Sequence, residues 1–252
     1  MNSVCMATYN GERYVQRQLE SILKQLDSKD EVIIFDDCST DNTREVINAM
    51  EDHRIHLYKN VQNMGVNKTF ENALRKAKGD IIFLSDQDDI WLDNKVEFIT
   101  NYFYKHSDVD VVQHDAEVVY EDLTVIDKSF FHWRGHVGPS VIRNLLRDTH
   151  LGCCMAMRKD VVSDCLPITS IPYHDKWIGV IAPLTGHRVM FISTVLMKYI
   201  RHVGTSTDPM YHRRPWKKIF QDRFWYPIEI CKFFLLKRFS VQNDKNNEEK
   251  YE

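Results

Sequence analysis

The 252-residue chain has no run of about 18 apolar residues, and its first dozen residues carry no basic stretch followed by an apolar one. The sequence is therefore expected to be neither exported nor membrane-spanning, and to work in the cytoplasm. None of the six cysteines, Cys5, Cys38, Cys153, Cys154, Cys165 and Cys231, forms a C-x-x-C pair, which points to reduced, buried thiols rather than a zinc or disulfide framework. A net charge of −3 leaves no global attraction for nucleic acid. Neither a lysine-ended P-loop nor a G-x-G-x-x-G turn is present, so a nucleotide would have to be held by other means. There is no internal repeat.

What is present is an ordinary globular composition, 43% hydrophobic and 27% charged, enough for one large α/β domain with an appendage. The most informative stretch is Ile81-Ile82-Phe83-Leu84-Ser85-Asp86-Gln87-Asp88-Asp89-Ile90-Trp91, where a short apolar run stops at three carboxylates. Such a run reads as a buried parallel strand that delivers acids to its carboxyl edge, where ligands of open α/β sheets collect. Crowded acids repel unless a cation lies among them, and oxygen ligands suit Mg²⁺ or Mn²⁺. The bland alternative is a solvated turn capping the next helix. An EF-hand is excluded, because Ile90 and Trp91 stand where an oxygen ligand and a glycine are required.

The same grammar recurs along the chain. Ser3–Thr8 reads as a first strand ended by a turn at Tyr9-Asn10-Gly11, and a helix is expected from Glu12 to about Leu26. Glu31–Phe35 is a second strand running into Asp36-Asp37, with Thr40 or Asp41 capping the helix of Val46, Ile47 and Met50. A third unit is Ile55–Tyr58 followed by the helix of Phe70, Ala73 and Leu74. Three β-α units in about eighty residues predict a doubly wound, mostly parallel central sheet flanked by helices. Further on, a helix is expected over Asp93–Tyr104, then a strand from Val109 that ends at His114-Asp115-Ala116. An aperiodic stretch, 120–138, reads as a loop over the site. A short helix over Ile142–Leu146, a buried strand at Gly152–Met157, and a helix opening at Pro172 with His174 and Asp175 in its first turn follow. Two late strands are expected, Val189–Ile192 and Leu196–His202, and a polar tail, 241–252, is expected to be disordered.

Two strands ending in acids suit a nucleotide site in which one cluster reads base and ribose while the other holds a metal on phosphates. Three stretches, Cys5–Glu12, Asp36–Asp41 and Leu84–Trp91, stand in order at a spacing that resembles the inverting GT-A glycosyltransferases of family 2, of the kind that build bacterial surface polysaccharides. The resemblance implies a GT-A fold over 1–210, with a nucleotide-sugar-binding half (1–107) and an acceptor half (108–210). It implies that Thr8, Tyr9 and Asn10 line the nucleoside pocket, that Asp37 binds the base, that Asp86 contacts the ribose, and that Asp88 ligates Mn²⁺ or Mg²⁺. For Asp89 it leaves ligation and capping of the next helix open. Where this family commonly has glycine, the chain has Cys38.

The second half resembles the family more loosely, through Gly152–Met157, His174-Asp175-Lys176-Trp177 and Tyr199–His202. By that resemblance Asp175 is the general base toward the acceptor hydroxyl, with a first-turn dipole charge as the alternative. His202 is implied as a second metal ligand, and Arg201, displaced by one from the usual arginine, as a charge for the diphosphate. His114 and Asp115 are the reserve candidates for the base. The implied donor is a nucleotide diphosphate sugar, dTDP-rhamnose or a UDP-hexose, and the acceptor a growing polysaccharide or lipid-linked glycan. A non-catalytic nucleotide-sugar-binding subunit and a sugar-phosphate nucleotidyltransferase are the rivals, although Ala7–Gly11 lacks the basic, glycine-rich loop of the latter.

The segment 211–240 is a basic, aromatic extension: over 213–238, eight basic residues stand against Asp222 and Glu229, interleaved with seven aromatics. This pattern fits an anionic membrane surface at the inner face of the cell membrane, or else packing on the chain's own domain or in a homodimer. No nucleic-acid motif accompanies it.

Overall fold

The computed structural model describes residues 1–135, 137–146, 149–169, 173–202 and 224–238. Among the described residues nine strands form one sheet: β1 (Asn2–Thr8), β2 (Glu31–Asp36), β3 (Ile55–Lys59), β4 (Ile81–Ser85), β5 (Ile90–Trp91), β6 (Val111–Tyr120), β7 (Val125–Asp127), β8 (Met155–Arg158) and β9 (Val189–Arg201). Their order is β3-β2-β1-β4-β8-β6-β9-β5, with β7 beside β6. The first four strands, in the order β3-β2-β1-β4, are parallel throughout, and so is the long β6–β9 ladder; antiparallel β8 joins the two.

Alternation along the central strands explains the double winding, because successive side chains of a strand face opposite sides. Val4, Met6, Val32 and Ile34 face one core with α1 (Val15–Leu23), α2 (Thr43–Asn48) and α4 (Lys95–Lys105). Cys5, Ile33 and Phe35 face the other, against α3 (Val66–Lys76), α7 (Lys159–Cys165) and α8 (His174–Leu184). Two short helices, α5 (Phe130–Arg134) and α6 (Val141–Leu146), lie between β7 and β8 in the chain. A last helix, α9 (224–238), buries Tyr226 and Phe233 against Trp177 of α8.

Several sequence expectations change here. The strand from Val109 does not end at Asp115; β6 runs to Tyr120, with the ladder to β9 shifting register on both sides of Asp115. Asp115 is buried within it and accepts from Ser129 Oγ and the Phe131 N–H, so it anchors the start of α5. The expected loop over 120–138 folds instead as β7 and α5. The two late strands are one, β9. Gly152–Cys154 is a single 3-10 turn rather than strand, because the Gly152 N–H goes to Asp175 and the Cys153 carbonyl to Lys95. Helix α2 starts at Thr43, after Asn42, with Asp41 accepting the Thr43 N–H. The polar tail lies outside the described residues, as does all of the basic segment before α9.

Candidate active site

Strand β1 is the point where the order reverses: β2 and β3 lie on one side of it, β4 on the other. Register aligns Thr8 with Asp36 and Met6 with Ser85, so the carboxyl ends of all three strands open on one cleft. The cleft has a volume of about 740 Å³ and is lined by Thr8, Tyr9, Asn10, Asp37, Asp86 and Asp88, together with Tyr14, Phe70, Gln87 and His202. Thr8, Tyr9, Asn10, Asp37, Asp86, Asp88 and His202 are therefore brought to one place, from segments far apart in the chain.

Asp37 is fixed by three donors: the Met64 and Gly65 N–H groups and the Asn60 amide. Its neighbour Asp36 faces inward, fully buried, and accepts from Thr8 Oγ1 and the Ser39 N–H. Cys38 adopts φ +66, the left-handed conformation that favours glycine. Glycine adopts that backbone shape without strain, and the Asp37 carboxylate is held here despite the cysteine. On the other wall, the Gln87 side chain accepts from the Tyr9 N–H and donates to the Tyr9 carbonyl, each at 3.0 Å. It thereby extends the β1–β4 ladder one step into the loop, and only a glycine at Gly11 leaves room for that amide.

Asp88 Oδ2 lies 2.8 Å from His202 Nε2, and the His202 ring stacks on Tyr14 at 4.3 Å. A carboxylate and an imidazole side by side on the cleft wall are a donor set that a divalent ion can share with phosphate oxygens and water. Asp89 neither caps α4, whose N-cap position is Asn94, nor reaches the cleft. It is fully buried and accepts the Ile200 N–H, tying β4's loop to β9. Asp86, Asp89 and Cys153 form a cluster whose ligand atoms lie within 4.8 Å of one another, the other Asp89 oxygen having no hydrogen-bond partner. Here the cation is built in: Lys95, fully buried, donates to the Cys153 carbonyl at 2.8 Å and sits over the Trp91 ring at 3.9 Å. Burial, and then the charge of Asp88, push the Asp86 carboxyl up to about 7. Burial pushes Asp89 well above the usual carboxylate range and lowers Lys95 to about 8.

Asp175 does occupy the first turn of α8, accepting the Gly152 N–H at 3.1 Å and its neighbour's N–H at 2.7 Å. It stands beside Gly152, in the 3-10 turn that also carries Cys153, but does not line the cleft itself. His174, the first residue of α8, packs its ring on Phe70 at 3.9 Å, and burial drops its pKa to about 3, so it is a neutral backing to the cleft residue Phe70. Arg201 is not a cleft residue either; its guanidinium lies over the Trp133 and Tyr199 rings. His114, fully buried with a strongly lowered pKa, and Asp115, bound to α5, are poor substitutes for a base. The residues that sequence reasoning missed are Tyr14, Phe70 and Gln87. Gln87 lay inside the acid motif, while the two aromatics carried no signal beyond helical spacing. Cys231 is exposed, unlike the buried thiol expected.

An acid-lined cleft at the switch point of this sheet is the hallmark of the GT-A fold. The chain belongs to glycosyl transferase family 2, whose model matches residues 3–166. That match ends before α8 and β9. Among similar curated proteins is the UDP-Glc:α-D-GlcNAc-diphosphoundecaprenol β-1,3-glucosyltransferase WfgD of Escherichia coli, 30% identical over 153 residues, covering 60% of this chain and 57% of that one. Another is the dTDP-rhamnosyl transferase RfbG of Shigella flexneri, 37% identical over 103 residues, covering 36% and 34%. The chain thus spans less than two thirds of the length of these relatives. Solved structures of similar fold include S. aureus TarS 1-349 in complex with UDP-GlcNAc (TM-score 0.64, 20% identity, 81% of this chain and 59% of that one). The mannosyltransferase PcManGT from Pyrobaculum calidifontis, in complex with GDP-Man and Mn²⁺, matches with TM-score 0.58 at 20% identity, covering 79% and 56%.

Proposed function

We propose that the protein is an inverting, metal-dependent glycosyltransferase that moves a sugar from a nucleotide diphosphate donor to a hydroxyl of a growing cell-surface glycan. The observation that carries the reading is the Asp88–His202 pair, placed in the same cleft as Asp37 and Asp86. In this scheme Asp37 takes the base, aimed by its three donors, while Thr8, Tyr9 and Asn10 enclose the nucleoside and Asp86 meets the ribose. Asp88 and His202 would hold Mn²⁺ or Mg²⁺, which when bound supplies charge neutralisation for the departing diphosphate. Asp175 takes the proton of the attacking hydroxyl, and the Gly152 and Lys176 N–H groups hold its carboxylate at the helix start. One base and a single displacement give inversion.

Two relatives direct the choice of substrates: one is named for a dTDP-rhamnosyl donor and the other for UDP-Glc and a diphosphoundecaprenol-linked acceptor. We therefore take dTDP-rhamnose or a UDP-hexose as donor and a lipid-linked glycan at the cytoplasmic side of the membrane as acceptor. Among the described residues no helix is long and apolar enough to cross a membrane. The test is a panel of nucleotide sugars, read by thermal stabilisation with and without Mn²⁺, then by release of nucleoside diphosphate in the presence of acceptor. Donor binding without any release would leave a nucleotide-sugar-binding subunit in place of an enzyme.

A further inference from the structure

Helix α9 has two faces that do different things. Tyr226 and Phe233, seven residues apart, are buried on Trp177 of α8, with ring centroids 6.2 and 5.2 Å from it. The Tyr226 hydroxyl donates to the Lys176 carbonyl at 3.1 Å, and Lys237 reaches the Asp164 carbonyl at 2.6 Å. That stripe anchors the helix. On the opposite side, at the i, i+7, i+11 spacing of a single helical face, Phe224, Cys231 and Leu235 point outward, flanked by Trp225 and Leu236. Phe224 is 60% exposed and Leu236 67%, values that a helix packed on its own domain by both faces would not show. Arg238 and Lys232 are exposed along the edges of this apolar stripe, Lys232 also pairing with Glu229 at 2.8 Å.

We propose that this outward face of α9 docks the protein on an anionic lipid surface. An apolar stripe with aromatic residues and basic edges, on a helix of about 22 Å, is the form of helix that lies in the plane of a bilayer interface. Within 224–238 the charge is basic, Lys232, Lys237 and Arg238 standing against Glu229. Pairing with the same face of a second copy would set basic edge against basic edge, which disfavours a homodimer here, whereas anionic headgroups complement it. Docking stands on α9 alone. Its consequence rests on the reading of Asp175 given above: α9 lies between the lipid and the first turn of α8, so the base would stand about one helix diameter, roughly 10 to 12 Å, from the headgroups.

The test uses the full chain and vesicles without substrate, so that it is independent of whether the sugar-transfer reading holds. Co-sedimentation is measured with vesicles of equal parts phosphatidylglycerol and phosphatidylcholine, and with phosphatidylcholine alone, at low and high salt. Binding to the anionic vesicles that weakens with salt, and falls at least about ten-fold in the double variant Phe224→Glu with Leu235→Glu, supports the proposal. The Lys232→Ala with Arg238→Ala variant should lose the salt-dependent part while keeping its melting temperature. Absence of binding to anionic vesicles at low salt overturns the proposal, as does binding that both variants leave unchanged. Wild type that is dimeric in solution, with the Glu variants monomeric and no vesicle binding by either, would assign the face to a second copy instead. A soluble acceptor should be turned over equally by wild type and the Glu variants.

Discussion

At the scale of single residues, the left-handed conformation of Cys38 gives the first prediction. A β-branched side chain there carries a steric cost of about 1 to 2 kcal/mol that glycine does not. Cys38→Val should therefore melt below Cys38→Gly by about that amount in denaturant titrations, with Asp37 and donor affinity little altered in the glycine variant. Asp175→Asn should leave nucleotide-sugar and metal affinity intact while turnover falls about 10² to 10⁴-fold. A lost helix-dipole contact, about 0.3 to 1 kcal/mol, could not produce such a drop. Asp86 sets a pH dependence. Its folded pKa of about 7 lies above the value of about 3.9 for a free carboxyl, so the native state binds the extra proton. The stability it contributes is full below about pH 4 and lost as pH rises through 7. Melting curves of the metal-free protein should show that decline, and Asp86→Asn should flatten it.

At the scale of elements, the Gln87 amide serves as a surrogate strand residue, and its two bonds to Tyr9 shape the wall of the cleft. Gln87→Ala should raise the donor KM about five-fold or more with a smaller effect on kcat, each such bond being worth roughly 1 kcal/mol. Gly11→Ala, by displacing that amide, should do the same and also lower the melting temperature. The elements near these motifs were legible because their signals are local: an apolar run, then acids, then a helical stripe. Asp37, Asp86 and Asp88 follow directly from two strand ends, those of β2 and β4. Elements of the second half were less so. Asp115 looked like a strand end because an acid is unusual inside a strand; only the Ser129 hydroxyl and Phe131 N–H, fourteen and sixteen residues on, make its burial tolerable. The 3-10 turn at Gly152 depends on a carboxylate 23 residues away and on a lysine 58 residues back, which no local pattern encodes.

At the scale of the whole molecule, the cleft joins the two halves of the sheet, so occupancy should stabilise the domain as a unit. Donor with Mn²⁺ at about one hundred times its Kd should add about 2.7 kcal/mol to unfolding, and Asp88→Ala or His202→Ala should remove the Mn²⁺-dependent part. Calorimetry with donor alone, metal alone and both together would read this directly.

The long reach of β9 also bears on synthesis. The four parallel strands that carry Asp37, Asp86 and Asp88 are all made within the first 89 residues, but His202 meets Asp88 across 114 residues of chain. At about 5 to 20 residues per second a ribosome needs roughly 6 to 23 s to cover that interval. Throughout it the nascent chain holds its clustered acids without their partner imidazole, and without β9 to take up Asp89. The Asp88–His202 corner is thus among the last parts of this domain that translation can complete.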